Sequence, residues 1–372
     1  MLRRPLGPHR PRLCGTRHQR GLPVSISTPG TRTGAFLAVL AAVLTVLVVI
    51  VVSSPRPVGT IVTFLTGPWS NRFALGNVLA RATLLILTGT GVVIAFRAGV
   101  FNLGGEGQTY LGALVVTAVL TGTDLATGTP PPVAMVTAIV LAVAASALLA
   151  GLSGWLRHAA GADELITSFL LAAAVIPVGD YLVLGPLRDS ASNLIATRAI
   201  PESMRLTRLL PPSAFNTSVL WSLLAVAGLW FLLKWTLFGY EMRITGYNRA
   251  LARYAGIPVG RYTTLPMAFS GALHGLAGAF LVLGIHYRSL TGFTGGLGWN
   301  GIAVALIARN KPLLIVPAAL FFALLDGGAR AAVLHNQTTW ELGSMVQGVV
   351  FLFVTAQLLA RYSLRRRGDK TW

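Results

Sequence analysis

The sequence predicts an all-α polytopic membrane protein of about ten transmembrane helices, some short or broken, with N- and C-termini cytoplasmic. Three observations carry that prediction. Hydrophobic residues make up 54% of the 372 positions and charged residues 11%, against about 25% charged in ordinary globular domains. Mean hydropathy is +0.69, and apolar stretches of bilayer-crossing length recur along the chain. Thirty basic residues, 27 of them arginine, face eleven acids, none of which precedes Glu106. A formal charge of +19 would by itself suit a nucleic-acid binder, but the apolar stretches make the bilayer the solvent and leave no role for nucleic acid. The same composition argues against a disordered chain and an ordinary soluble enzyme. A single cysteine, Cys14, argues against a disulfide scaffold.

A helix needs about 20 apolar residues to cross the hydrocarbon core. The first span is 35–52, AFLAVLAAVLTVLVVIVV, which carries no charge. Further spans are expected at 77–96, 108–122, 132–156, 165–184, 218–238, 263–283 and 341–360. Between Gly301 and Asp326 the apolar run is broken by Arg309-Asn310-Lys311-Pro312, which predicts two short helices around a tight turn. The third and eighth spans are then too short to cross straight through. The chain divides into a basic tail at 1–33, a transmembrane domain at 34–360 and a second basic tail at 361–372.

Orientation follows the Lys/Arg bias of short loops. Seven arginines and no acid lie in the first 33 residues. The loop 239–262 carries Arg243, Arg249, Arg253 and Arg261 against Glu241, and the C-terminal tail carries five basic residues against Asp369. Placing all three in the cytoplasm requires an even number of spans, and ten fits. With Arg97, Arg157, Arg309 and Lys311, 20 of the 30 basic residues then lie inside. The long outer loop 185–217, with four arginines and two acids, is the exception. A cleaved signal peptide suits the N-terminus poorly, because the apolar run is too long and no A-x-A site follows. The Pro/Gly/Arg-rich first residues read as a disordered tail.

Two glycine-rich breaks interrupt the apolar pattern. Arg97 to Thr109 reads RAGVFNLGGEGQT and sets Asn102, Glu106 and Gln108 among four glycines. Each mid-helix glycine costs about 1 kcal/mol relative to alanine, and a carboxylate near hydrocarbon costs roughly 3 kcal/mol. Non-helical backbone at membrane depth survives only inside protein or beside a water-filled cavity. The residues leave two readings: a broken helix at a polar path or gate, or a cytoplasmic turn in which Glu106 pairs with Arg97. The second break, GFTGGLGWNG at 292–301, contains G-x-G-x-x-G at Gly296, Gly298 and Gly301. It lacks the strand and βαβ unit that a dinucleotide site needs. Paired interrupted helices are what transporters built from repeats carry.

Other polar positions read as structural. His274, among small residues, suits an interhelical hydrogen bond. Asp180 and Asp326 suit solvated outer helix ends, Lys234 between Trp230 and Trp235 suits an interface anchor, and Asp163-Glu164 suits a helix cap. No G-x-x-x-x-G-K-[ST] loop, H-E-x-x-H pair or metal constellation occurs in the sequence. Neither ATP hydrolysis by this chain, nor a bound cofactor, nor a catalytic metal is expected.

The loop from Tyr240 to Tyr262 holds a short helix at 248–255, NRALARYA, ended by Gly256 with Pro258 beyond. Its aromatic and small residues interleaved with arginine suit either a groove in a soluble partner or an anionic lipid surface. The segment ITGYNRALARYAGIPVGR resembles the cytoplasmic coupling segment of ABC-importer permeases for branched-chain amino acids, simple sugars and nucleosides. It matches at Gly246, Asn248, Ala252, Tyr254, Ala255, Gly256 and Ile257, with Leu251 where alanine is usual. FRAGVFNLGGEGQ is similar to that family's first signature at Phe96, Gly99, Phe101, Asn102, Gly104, Glu106, Gly107 and Gln108. GADELITSFLL resembles a third motif, with Asp163 for asparagine. GLGWNGIAVALIARNKPL resembles a fourth, with Trp299 for phenylalanine and Arg309 near a usually glycine-rich turn.

The four motifs fall in family order over about residues 75–360, and the glutamate-bearing signature is most like the nucleoside-uptake branch. The resemblance implies a non-catalytic permease subunit in the bacterial plasma membrane, forming the path for a small polar solute, most simply nucleosides. A ribose-type sugar permease is the alternative, and an ion-coupled secondary transporter using Glu106 a more distant one. The implied partners are an ABC ATPase that binds the ATP, a second permease (paralogous or identical) and an extracellular substrate-binding lipoprotein. Asn102, Glu106 and Gln108 would line the path or brace the broken helix; Gly246, Asn248, Ala252, Tyr254 and Gly256 would couple to the ATPase.

Overall fold

The computed structural model describes residues 44–52, 54–123, 128–336, 341, 343, 345–349 and 351–352. The tails expected at 1–33 and 361–372, the first half of the span expected at 35–52 and most of that expected at 341–360 lie outside the described residues. Among these residues the fold is helical, with only isolated bridges such as Ala196 to Leu290. In chain order the helices are α1 (44–52), α2 (Pro57–Thr66), α3 (Arg72–Arg97), α4 (Gly105–Gly122), α5 (Pro131–Ala160) and α6 (Glu164–Leu184). Then follow α7 (Ser218–Trp235), α8 (Leu237–Tyr247), α9 (Arg249–Tyr254), α10 (Val259–Leu281), α11 (Leu297–Ile307) and α12 (Ile315–Asn336).

Among the described residues, six helical segments are long and apolar enough to cross a membrane: α3, α5, α6, α7, α10 with its π-helical end Val282–His286, and α12 with the preceding turn at Pro312. The protein is therefore a multi-pass membrane protein. α3 and α10 are the most enclosed of the six, whereas α5, α6 and α7 keep most of their surface outward. α10 packs on α3, α4 and α5, and α3 also packs on α11 and α12. Small residues set these distances: Gly271 and Gly275 abut Ser146 on α5, and Gly112 abuts Gly275. Without water to drive association, such close backbone approach is what binds helices in lipid.

Several expectations are corrected. The third span begins at Gly105 and runs 18 residues, longer than the apolar run 108–122, because Glu106, Gly107 and Gln108 are helical and buried in protein. The eighth span is short as expected: α11 has 11 residues, about 16 Å of rise. Its partner is not short, since α12 runs 22 residues and carries Asp326 in its interior. α2 has no counterpart among the expected spans, its 10 residues being too few for a bilayer signal. It buries Phe64 against Ala329, Ala332 and Val333. The loop expected at 239–262 holds its expected short helix as α9, but most of the segment before it is also helical, as α8, and the start of α10 follows. The long loop 185–217 is tied to the end of α10 through Ile200 N–H to Tyr287 O and Leu206 N–H to Leu283 O. Two of its four arginines are engaged there, with Arg205 and Arg208 flanking the Tyr287 ring.

Candidate functional site

Helix α3 ends at Arg97, and Gly99 turns the chain with φ +67°. A side chain at Gly99 would also strike the Gly246 backbone of α8. Backbone donors on both sides of Asn102 are paired, as burial demands. Gly99 N–H and Val100 N–H donate to the Phe96 and Ala95 carbonyls, 3.1 Å each. Phe101 N–H donates to the Glu164 carboxylate (3.4 Å) and Leu103 N–H to Ser168 Oγ (3.1 Å), both on α6. Gly104 N–H donates to Asn102 Oδ1 (3.0 Å).

Asn102 and Gln108 form a reciprocal amide pair, Nδ2 to Oε1 at 2.7 Å and Nε2 to Oδ1 at 2.9 Å. Asn102 Nδ2 also donates to Ser270 Oγ on α10 (2.9 Å), and Ser146 on α5 donates to the Gln108 carbonyl (2.9 Å). One asparagine thus clamps the break to α4 and α10.

Glu106 sits in the first turn of α4 and is 7% exposed. Its carboxylate accepts from Gly296 N–H at 2.9 Å and Gly298 N–H at 2.7 Å, at the N-terminus of α11. The two glycine-rich breaks therefore meet, and one carboxylate caps the orphan donors of one helix from the first turn of another, where both dipoles favour it. Any side chain at Gly298 would overlap the Glu106 backbone. The turn reading is overturned in its pairing: Arg97 donates to the Asn310 carbonyl (2.8 Å) and Glu106 bonds the second break.

A polar chain that the sequence left unconnected continues from this bracket. Arg81 donates to the Gly295 carbonyl (3.3 Å) and lies 3.7 Å from Asp326. Asp326 also accepts from Arg330 (3.0 Å) and Gln347 (3.1 Å), and Gln347 accepts from Asn300 (3.4 Å). Asp326 is thus held by partners on α3 and α12 and is no solvated helix end. Asp180 likewise accepts from Tyr110 at 2.6 Å. His274 makes its bond within its own helix, to the Ser270 carbonyl (2.8 Å), correcting the interhelical expectation. Its ring reaches across only by packing on Gly91 and Gly105. That contact places the start of α4 roughly 9 Å of helix rise from the Arg97 end of α3. Asp163 caps α6 as expected (2.8 Å), whereas Glu164 pairs with Arg157. Among the described residues, no group of three or more His, Cys, Asp or Glu could hold a metal ion.

The second expected cluster lies on α8 and α9. Asn248 caps α9, accepting from Ala250 N–H (2.9 Å) and Leu251 N–H (3.1 Å), and Gly256 ends it at φ +75°. Ala252 is buried, and Gly246 rests on the Arg97 carbonyl and the Gly99 backbone. Arg249 donates to the Gly99 carbonyl at 3.2 Å; burial first, and then Arg253, lower its affinity for its proton. Tyr254 is 92% exposed and Tyr247 86%, and Leu251 is exposed beside them. The five expected residues therefore divide: Gly246, Asn248, Ala252 and Gly256 shape the segment, and Tyr254 is presented outward. Tyr247 and Leu251 join it on the exposed side, although only Tyr254 stood out in the sequence.

A family model described as branched-chain amino acid transport system, permease component, matches residues 74–355. The "Probable riboflavin import permease protein RfuC" of Treponema pallidum is 34% identical over 338 residues, covering 90% of this chain and 88% of that protein. The "Glucose ABC transporter permease protein TsgB13" of Haloferax volcanii is 31% identical, covering 90% of each. The "Guanosine ABC transporter permease protein NupP" of Bacillus subtilis is 29% identical, covering 81% and 87%.

Proposed function

We infer a transport role from one premise: the chain belongs to the family of branched-chain amino acid transport system permease components. It is a membrane subunit of the ABC-permease type. We propose that it forms one half of the path of a bacterial plasma-membrane importer, with ten spans and both termini in the cytoplasm. The second half is another permease chain, paralogous or identical. ATP hydrolysis belongs to a separate ATPase, which docks on the exposed side of α8 and α9, and a lipoprotein delivers the solute from outside.

The proposed solute class is nucleoside-like, a flat heterocycle on a neutral polyol. Relatives named for guanosine, nucleosides and riboflavin support this, and those ligands share that chemistry. A simple sugar is the second reading, supported by the relative named for glucose. Neutral polar solutes need hydrogen-bond partners in the path rather than a counter-ion.

The observation that carries the mechanism is the Glu106 bracket between the two broken helices. In the proposed cycle Asn102, Glu106 and Gln108 brace the closed path instead of binding solute. Both carboxylate oxygens accept from backbone N–H groups of the second break, an arrangement that suits a brace between the two helices. The test is uptake of radiolabelled nucleoside by proteoliposomes holding both permeases, the ATPase and the lipoprotein. ATP-dependent, vanadate-sensitive uptake is expected. Uptake that follows a proton gradient and ignores vanadate would overturn the ABC reading in favour of ion coupling through Glu106.

A further inference from the structure

Near the Arg97 end of α3, a cavity of about 200 Å³ opens between α3, α7, α8 and the turn before α12. Arg97, Lys234, Arg243, Trp230, Leu233 and Pro312 line it. Among the described residues no carboxylate pairs with any of its three cations. Glu241, the acid nearest in sequence, accepts from the Tyr262 hydroxyl instead. Arg97 and Arg243 are aimed by backbone carbonyls: Arg97 Nε donates to Asn310 O (2.8 Å) and Arg243 Nε to Gly239 O (3.2 Å). Each bond uses one donor and leaves the terminal nitrogens of a five-donor fork. Lys234 Nζ lies 5.0 Å from the Trp230 ring centre and 5.1 Å from that of Trp235.

Two half-buried arginines and an exposed lysine, gathered without an anion, form a site short of its ligand. We propose that this cavity binds the phosphate headgroup of an anionic phospholipid. Forked guanidinium groups suit phosphate oxygens, and basic pockets between helices at a membrane face take such headgroups. The surroundings select lipid over a soluble anion or a protein. α7 turns Trp221, Leu224, Phe231 and Trp235 outward. Trp221 and Trp235 lie about 21 Å of helix rise apart, so tryptophans mark both interfaces of a lipid-facing helix. Acyl chains can therefore lie along α7 while the phosphate enters between Lys234 and Arg243. The bound lipid would link α3, the end of α7, α8 and the turn before α12.

The test titrates phosphatidylglycerol into the full-length chain in phosphatidylcholine nanodiscs, with occupancy read by native mass spectrometry. Saturable binding is expected, weakened about 30-fold in Lys234→Gln/Arg243→Gln, since each cation near a membrane contributes about fivefold. Lys234→Arg/Arg243→Lys, which keeps both charges, should bind within a few-fold of wild type. Arg188→Gln/Arg198→Gln, in the 185–217 loop, should bind as wild type does. Equal retention of phosphatidylcholine and phosphatidylglycerol would overturn the proposal, as would unweakened binding in the Lys234→Gln/Arg243→Gln variant. Displacement of the lipid by equimolar inorganic phosphate would overturn the lipid assignment and make the cavity a free-anion site.

Discussion

Replacing Glu106 with glutamine keeps size and shape but removes the charge from the bracket. One amide oxygen can still accept from Gly296 N–H or Gly298 N–H, while the amide nitrogen must face the other donor. A buried charge-assisted hydrogen bond contributes about 1.5–3 kcal/mol, and an orphaned buried N–H costs about 1–3 kcal/mol. Because the two overlap in part, the bracket should weaken by about 2–4 kcal/mol, a shift of roughly 30- to 1,000-fold between joined and parted breaks. The assay compares nucleoside uptake by proteoliposomes with membrane protein level and detergent melting temperature. Uptake should fall more than tenfold while protein level stays within about twofold, because the bracket is one of many contacts among α3, α4, α10 and α11. Glu106→Asp, one methylene short of spanning both donors, should fall between. Wild-type uptake by Glu106→Gln would refute the bracing role, and a loss of uptake that only tracks protein level would make Glu106 a folding residue.

Tyr254→Asp should lose co-purification of the ATPase, or leave ATP hydrolysis running without uptake, with membrane insertion intact; normal uptake would remove Tyr254 from the docking surface. Gly246→Ala should behave differently, because the added methyl meets the Arg97 carbonyl. ATPase binding should survive while uptake falls at least severalfold, and a pull-down beside an uptake assay separates the two cases. Asp326→Asn should destabilise the chain by about 2–3 kcal/mol, leaving Arg81 without its anion inside the membrane. The Arg81→Gln/Asp326→Asn pair should recover part of that loss in a thermal double-mutant cycle, and strictly additive losses would count against the pairing.

What the sequence disclosed was local, and what it hid was pairing. Asn248 as a cap and Gly256 as a left-handed stop belong to their own helix turn, so α9 could be read almost to the residue. Lys234 between its tryptophans was legible for the same reason. Both glycine breaks were visible as interruptions, but nothing local says that Glu106 must find Gly298, 192 positions away. Proximity to Arg97 in sequence suggested a pair that the fold does not make. Asp326 was misplaced because its compensating charge, Arg81, lies on another helix, and an acid near the end of an apolar run looks solvated until that partner is seen. α2 was missed for a different reason. It is too short to bear a spanning signal, and its apolar face has meaning only against α12.

The positions of the two clusters suggest how one could act on the other in the proposed importer. Gly246 and Arg249 bear directly on Gly99, where the α3 hydrogen-bond ladder has ended. From Gly99 to Gly104 no helix stiffens the chain, and α6 and α10 hold it by single bonds at Phe101, Asn102 and Leu103. A shift of α8 and α9 would therefore pass along a few residues of non-helical backbone to the first turn of α4, which carries Glu106. Coupling over distance requires an element with two discrete arrangements, and the bracket has the physics for it. A carboxylate withdrawn from its N–H donors inside a bilayer is expensive unless water replaces them, so half-parted states are disfavoured. Opening the bracket and wetting the path should then be one event. A neutral side chain at position 106 would allow the breaks to part without water, which is why a carboxylate suits a gate that must be either shut or fully hydrated.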